Sequence, residues 1–166
     1  TVDMRQVVSA ITQQLQPRFL QQECRLTVSI PETPVWAEVD EPRIERVVMN
    51  LLLNALNAIG HDEGAVTITL RAETEIIVEV QDNGCGMDAD QLAVIRDRFA
   101  AIERGHIPDS KGIGLNLCKR LIDAHGGRFT LCSALGTGTT VTFVLSRSPG
   151  PPEPAASHRQ TTHDPT

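Results

Sequence analysis

The sequence predicts an α+β domain in which a layer of helices covers a sheet. Alternating apolar segments come in pairs, 65–70 with 75–80 and 128–133 with 139–145. Helical segments with a 3.6-residue apolar period separate those pairs. Strand pairs interleaved with helices bury their apolar faces best as a two-layer sandwich. A third observation marks a functional surface. The helix expected over Arg43 to Ile59 is apolar on every face but one, where Asn50, Asn54 and Asn57 fall at i, i+4 and i+7. Arg43 and Arg46 continue that stripe toward the helix N-terminus. A helix apolar nearly all round is expected to be buried. Buried amides left unpaired cost about 1–3 kcal/mol each, so this stripe must meet chain, water or a ligand.

The elements follow in order. Residues 3–22 read as a helix with Val7, Val8, Ile11, Leu15 and Phe19 on its apolar face, and Pro17 should kink or interrupt it. Arg25 to Ile30 alternates as a strand, Pro31 to Pro34 is a turn, and Val35 to Val39 is a short strand. Asp40 is the expected N-cap of the asparagine helix and Gly60 its stop. The strands 65–70 and 75–80 form a hairpin through Glu73-Thr74. The turn Asp82 to Met87 leads into a helix over Asp88 to Phe99. Residues 100–111 show no period, carry Gly105 and Pro108, and read as a mobile, lid-like loop. Gly112 to His125 is helical, Gly126-Gly127 ends it, and Leu135 to Gly138 turns between the last two strands.

Composition narrows the function. With 166 residues the chain holds one domain with a real core. Residues 1–146 are expected to form it, and 147–166, with five of the ten prolines, to be a disordered tail or linker. The net charge of −6 argues against nucleic-acid binding. No apolar run reaches the length of a membrane span, and no signal peptide is evident. The four cysteines, Cys24, Cys85, Cys118 and Cys132, form no C-x-x-C pair, which points to a reduced, cytoplasmic setting without zinc.

Two glycine motifs carry chemistry. Asp82-x-Gly84-x-Gly86 follows directly on an apolar strand, so its backbone can turn sharply and approach a ligand while Asp82 accepts hydrogen bonds. An ordinary Asx turn accounts for it equally well in isolation. Lys111-Gly112-Ile113-Gly114-Leu115 opens a helix, where free N–H groups and the helix dipole suit phosphate. It is neither a Walker A motif nor a Rossmann fingerprint. Together with the amide stripe, the set can bind a nucleotide. The Asp would accept from the adenine amino group, the helix would hold phosphates, and an asparagine would serve a bridging magnesium ion.

These motifs resemble, in order, those of the ATP-binding catalytic domain of bacterial sensor histidine kinases, within the GHKL superfamily shared with the gyrase B subunit, heat-shock chaperones and MutL. Asn50-Leu51-Leu52-Leu53-Asn54-Ala55 matches the asparagine box and Asp82 to Met87 the first glycine box. Arg98-Phe99 resembles the phenylalanine box, Gly112 to Leu115 the second glycine box, and Gly136-Thr137-Gly138-Thr139 the last. The resemblance spans about Val2 to Leu145 and implies a Bergerat fold: a mixed sheet on three main helices, with an ATP lid. It implies that Asp82 reads adenine, that Asn54 is the magnesium ligand, and that Asn50 helps at the phosphates, Asn50 and Asn54 being the catalytic pair. Gly84, Gly86, Met87 and Ile113 would shape the purine pocket, and Gly112, Gly114 and Leu115 the phosphate cradle. Thr139 would reach adenine through water, while Arg98, Phe99 and Lys111 complete the site. In two places the chain departs from the family pattern. Asn57 stands where a Lys or Arg is frequent, a charge that Arg98 or Lys111 would replace, and Asn116 stands for a glycine.

The resemblance also implies the activity: ATP–magnesium binding and transfer of the γ-phosphoryl group to a histidine on a dimerisation domain of the same parent kinase, and from there to a response regulator in two-component signalling. Hydrolytic relatives carry a water-activating Glu where Asn50 stands, and an amide is no base. His61, His106, His125, His158 and His163 lack a helical, acidic acceptor context, so the acceptor is expected outside this chain. The isolated domain is expected to be a cytoplasmic monomer whose parent can be anchored in the inner membrane. A non-catalytic nucleotide-binding module and an anti-sigma-factor-like serine kinase share the fold and stay open as alternatives.

Overall fold

A computed structural model describes residues 1–106 and 113–152. Eleven elements order the described chain. They are β1 (Val2–Asp3), α1 (Met4–Gln21), β2 (Arg25–Ser29), β3 (Trp36–Ala37), α2 (Glu41–Asn57), β4 (Ala65–Ala72), β5 (Glu75–Asp82), α3 (Ala89–Glu103), α4 (Ile113–Ala124), β6 (Arg128–Ala134) and β7 (Gly138–Ser146). Five strands form one mixed sheet in the order β2-β4-β5-β7-β6. β2 runs parallel to β4, and every other pair is antiparallel. β1 and β3 make a separate two-stranded ribbon.

The layers follow from the pleat. Val66, Ile68 and Leu70 of β4, Ile76, Val78 and Val80 of β5, and Val141, Phe143 and Leu145 of β7 are all buried on one face. Three helices, α1, α2 and α4, cover that face. α3 packs on α4 and reaches β6 through Phe99, whose ring meets Phe129 edge to face at 5.6 Å. The two-layer α+β sandwich and its mixed sheet are therefore as the sequence predicts.

Several boundaries differ, each for a local reason. α1 runs through Pro17 to Gln21 without interruption. The proline and Gln13, the residue whose carbonyl it deprives of a donor, both lie on the exposed side, where water can serve that oxygen. α2 starts two residues earlier than expected, because Pro42 fits the first turn, and Asp40 caps it by accepting from the Arg43 N–H at 3.2 Å. It ends at Asn57 rather than at Gly60, since the Ala58 carbonyl accepts the Cys85 N–H at 3.0 Å. α3 continues through residues 100–103, which the sequence reading assigned to a loop. Ile102 extends the row Ile95–Phe99 at helical spacing and packs on the core. Residues 107–112, the remainder of that expected lid apart from the 104–106 turn, lie outside the described residues, as do 153–166 of the expected tail. Before that point the chain still packs: the Ser148 N–H donates to the Trp36 carbonyl at 2.8 Å.

His125 ties two helices of one layer together at the end of α4. Its Nδ1–H donates to the Leu121 carbonyl at 2.6 Å, and its Nε2 accepts the Asp40 N–H at 3.1 Å. This pairing fixes the neutral Nδ1–H tautomer and joins α4 to the cap of α2. His125→Ala should therefore lower unfolding stability by about 1 kcal/mol without changing nucleotide affinity. Urea denaturation checks this, and an unchanged midpoint would mean that the two bonds contribute nothing net.

Candidate functional site

The site begins with a carboxylate on a core row. Ile76, Val78, Val80 and Asp82 alternate along β5, so Asp82 points to the helix side, where it is only 8 % exposed. One of its oxygens accepts the Gly84 N–H at 2.8 Å and the Thr139 N–H at 3.3 Å. Burial raises its pKa above the ordinary carboxylate range, and these two amides oppose the rise. Among the described residues no hydrogen-bond donor meets the second oxygen, which leaves it to a ligand donor.

Close backbone approaches hold this carboxylate in place. Gly86 has φ +66, and a Cβ there would stand 2.0 Å from the Ala134 carbonyl oxygen. Gly138 has φ +127, and its Cβ would stand 2.0 Å from the Asp82 carbonyl oxygen. Neither position accepts a side chain. The Ser133 hydroxyl accepts the Met87 N–H at 2.9 Å and shares a 2.7 Å bond with the Thr139 hydroxyl. Asn83 anchors the turn to β4, accepting the Ala65 N–H and donating to the Glu63 carbonyl, each at 2.8 Å.

A cavity of about 530 Å³ opens beside Asp82. α2 contributes Asn54 and Asn57, the first glycine turn Gly86 and Met87, and α4 Gly114, Leu115 and Asn116. Thr139 and Val141 come from β7, and Ile95 and Arg98 from α3. The structure thus brings together Asn54, Asp82, Gly86, Met87, Arg98, Gly114, Leu115 and Thr139 of the residues singled out in the sequence. Gly114 lies against the Asn54 amide, where an added Cβ would meet Nδ2 at 3.0 Å.

Other expected residues stand elsewhere. Asn50 does not line the cavity and is half-buried. The buried Cys118 thiol donates to the Val47 carbonyl at 3.8 Å, and burial pushes its pKa up to about 12. Gly84 acts behind the lining, where its missing Cβ lets the turn approach the Ala58 carbonyl. Phe99 is buried against Phe129 and positions α3. Lys111, Gly112 and the side chain of Ile113 lie outside the described residues. The ladder is graded rather than buried: Asn50 is half-buried, whereas Asn54 and Asn57 are exposed toward the cavity.

Sequence reasoning passed over Ile95 and Ser133. Cys85 is exposed and lines the cavity. Ile95 was detectable from its spacing to Arg98 and Phe99. Ser133 had no local signal, because its role depends on the register that sets it opposite Thr139. All four cysteines are free, and no helix among the described residues is long and apolar enough to cross a membrane.

Comparison with known proteins agrees with the fold. Residues 39–149 match the family model described as histidine kinase-, DNA gyrase B- and HSP90-like ATPase. The adaptive-response sensory kinase SasA of Synechococcus elongatus is 30% identical over 84% of this chain and 36% of its own length. The sensor histidine kinase ZraS of Klebsiella oxytoca is 31% identical over 87% of this chain and 31% of its own length. The chain therefore spans about a third of these relatives. The catalytic domain of histidine kinase ThkA, in a nucleotide-free form, superposes with a TM-score of 0.73 at 20% identity, covering 90% of this chain and 96% of that domain. Membership in an ATPase family implies ATP binding. The chain belongs to the histidine kinase-, DNA gyrase B- and HSP90-like ATPase family.

Proposed function

We propose that this chain is the catalytic, ATP–magnesium-binding part of a sensor histidine kinase, and that it transfers the γ-phosphoryl group to a histidine on a separate dimerisation domain. The observation that carries the reading is Asp82: a buried carboxylate with one occupied oxygen, at the wall of a cavity that also presents Asn54, Arg98 and the start of α4. Asp82 accepts from the adenine amino group, and Met87, Ile95 and Val141 pack beside the ring. The first turn of α4 offers backbone N–H groups to the phosphates. Arg98 is the cation among the described lining residues and supplies charge where Asn57 has none.

The donor set fits magnesium if the nucleotide completes it. No cluster of three His, Cys, Asp or Glu side chains exists among the described residues. Asn54 offers one neutral oxygen at the cavity, which suits a hard cation whose other ligands are phosphate oxygens and water. Magnesium would supply charge neutralisation at the phosphates, with Asn54 holding its position. No base stands at Asn50, because an amide does not take up a proton at neutral pH. Water is therefore not activated there, and transfer waits for an acceptor placed in line. Likeness to a sensory kinase and a sensor histidine kinase supports the extension to two-component signalling, with a response regulator as the downstream partner; a cytoplasmic site of action belongs to the same proposal.

Three outcomes test the reading. Asp82→Asn should weaken ATP binding by about 2 kcal/mol, roughly 30-fold, as measured by calorimetry. Thermal stability should not fall, because the amide still accepts from Gly84 and Thr139 and the buried charge is gone. Equal losses of both would make Asp82 structural. In a second experiment, Asn54→Ala should abolish the magnesium-dependent part of ATP affinity and leave metal-free ADP binding near the wild-type value; parallel loss of both would remove the metal role. Finally, the chain alone should neither turn over ATP rapidly nor phosphorylate itself. Adding the parent's histidine-bearing hairpin should yield an acid-labile phosphohistidine on the hairpin, detectable by mass spectrometry, and fast acceptor-independent hydrolysis would refute the kinase assignment.

A further inference from the structure

A second hollow lies between α2 and α4, the two helices that also frame the nucleotide cavity. Its volume is about 600 Å³, with Leu117 and Leu121 in its lining and Arg43, Arg46 and Arg120 around them. We propose that this groove docks an acidic, amphipathic helix of a protein partner.

Charge is the first argument. The chain carries 21 acidic and 15 basic residues, yet the lining of this groove has three arginines and no carboxylate. Arg43 shares its charge with Asp40 at 3.5 Å. Arg46 and Arg120 are exposed and form no ion pair among the described residues. The nearest acid on α4 is already engaged: Asp123 holds the Lys119 ammonium at 2.8 Å. A positive rim of this kind steers and orients an acidic partner.

Shape is the second argument. Leu117 and Leu121 are four residues apart, so they form one half-buried apolar strip along α4. A lone phosphate-sized anion has no use for such a strip. A helix with a leucine row between glutamates fits both the strip and the arginine rim.

Position gives the groove its consequence. Arg43 and Arg46 lie on the same stripe of α2 as Asn54. Arg46 precedes Asn54 by eight residues, roughly 12 Å along the axis. A helix seated in the groove is thereby held about two turns from the asparagine at the nucleotide cavity. The proposal goes beyond the nucleotide-binding reading, and its test uses ATP affinity as a control.

The probe is a labelled sixteen-residue helical peptide with leucines at i, i+4 and i+7 flanked by glutamates; a second peptide replaces every glutamate by lysine. Fluorescence anisotropy against the full chain at low salt should show binding of the glutamate peptide that weakens with added salt, and no binding of the lysine peptide. Arg46→Glu combined with Arg120→Glu should weaken the glutamate peptide by at least about tenfold, with ATP affinity unchanged as evidence of an intact fold. The milder pair Arg46→Gln and Arg120→Gln should fall between. The proposal is overturned if the glutamate peptide fails to bind, if the lysine peptide binds as well, or if either double variant that retains ATP affinity binds the glutamate peptide like the wild type.

Discussion

The site depends on one constraint: a carboxylate placed on the buried face of a sheet must be held by donors that the backbone itself supplies. Asp82 occupies the last position of a row whose other members are Ile76, Val78 and Val80. Its two amide donors come from different segments, Gly84 two residues on and Thr139 from the neighbouring strand. Both arrive only if β5 and β7 pair with Asp82 opposite Thr139. That register brings the Gly138 backbone too close to Asp82 for any side chain, and the turn at Gly86 too close to Ala134. The glycines serve the carboxylate's surroundings as much as they serve a ligand.

α2 is joined to this arrangement at its end. The Ala58 carbonyl, left free where the helix stops, accepts the Cys85 N–H from the glycine turn. The asparagine ladder is thereby fixed relative to Asp82, so that Asn54, Asn57 and Asp82 line one cavity. Along the same helix the environment changes from apolar to wet. Asn50 is half-buried away from the cavity, while Asn54 and Asn57 face open space. One repeated residue type thus occupies two environments, half-buried at the first position and open to the cavity at the later ones.

Among the described residues α3 is the helix least attached to the sheet, and two specific contacts help to hold it. Phe99 meets Phe129 of β6, and Lys119 of α4, only 5 % exposed, bridges Glu103 at 3.0 Å and Asp123 at 2.8 Å. Burial disfavours the ammonium, yet the two carboxylates outweigh it and raise the Lys119 pKa. A buried cation left with one partner is costly, so this bridge registers α3 against α4. Ile95 and Arg98 reach the cavity as a result.

The fold class was legible in the sequence because its signals are periodic and local: paired two-residue alternations, the Asp40 cap, and the apolar rows of α1, α2 and α4. The amide stripe and the two glycine motifs were legible for the same reason, since spacing along one element decides which residues share a face. What the sequence could not decide were matters between elements. Whether Asn50 lines the cavity depends on how closely α4 packs, and Cys118 of that helix lies 68 positions further on. Ser133 acquires its place only through the register of β6 on β7. The extra turn of α3 exists because Ile102 finds a core to pack on, a contact that helix propensity does not encode. The basic groove arises from residues on two helices, α2 and α4, that only tertiary packing brings side by side. Local pattern determined the pieces and much of the chemistry, and packing across the sheet and between α2 and α4 decided which of those side chains meet in one cavity.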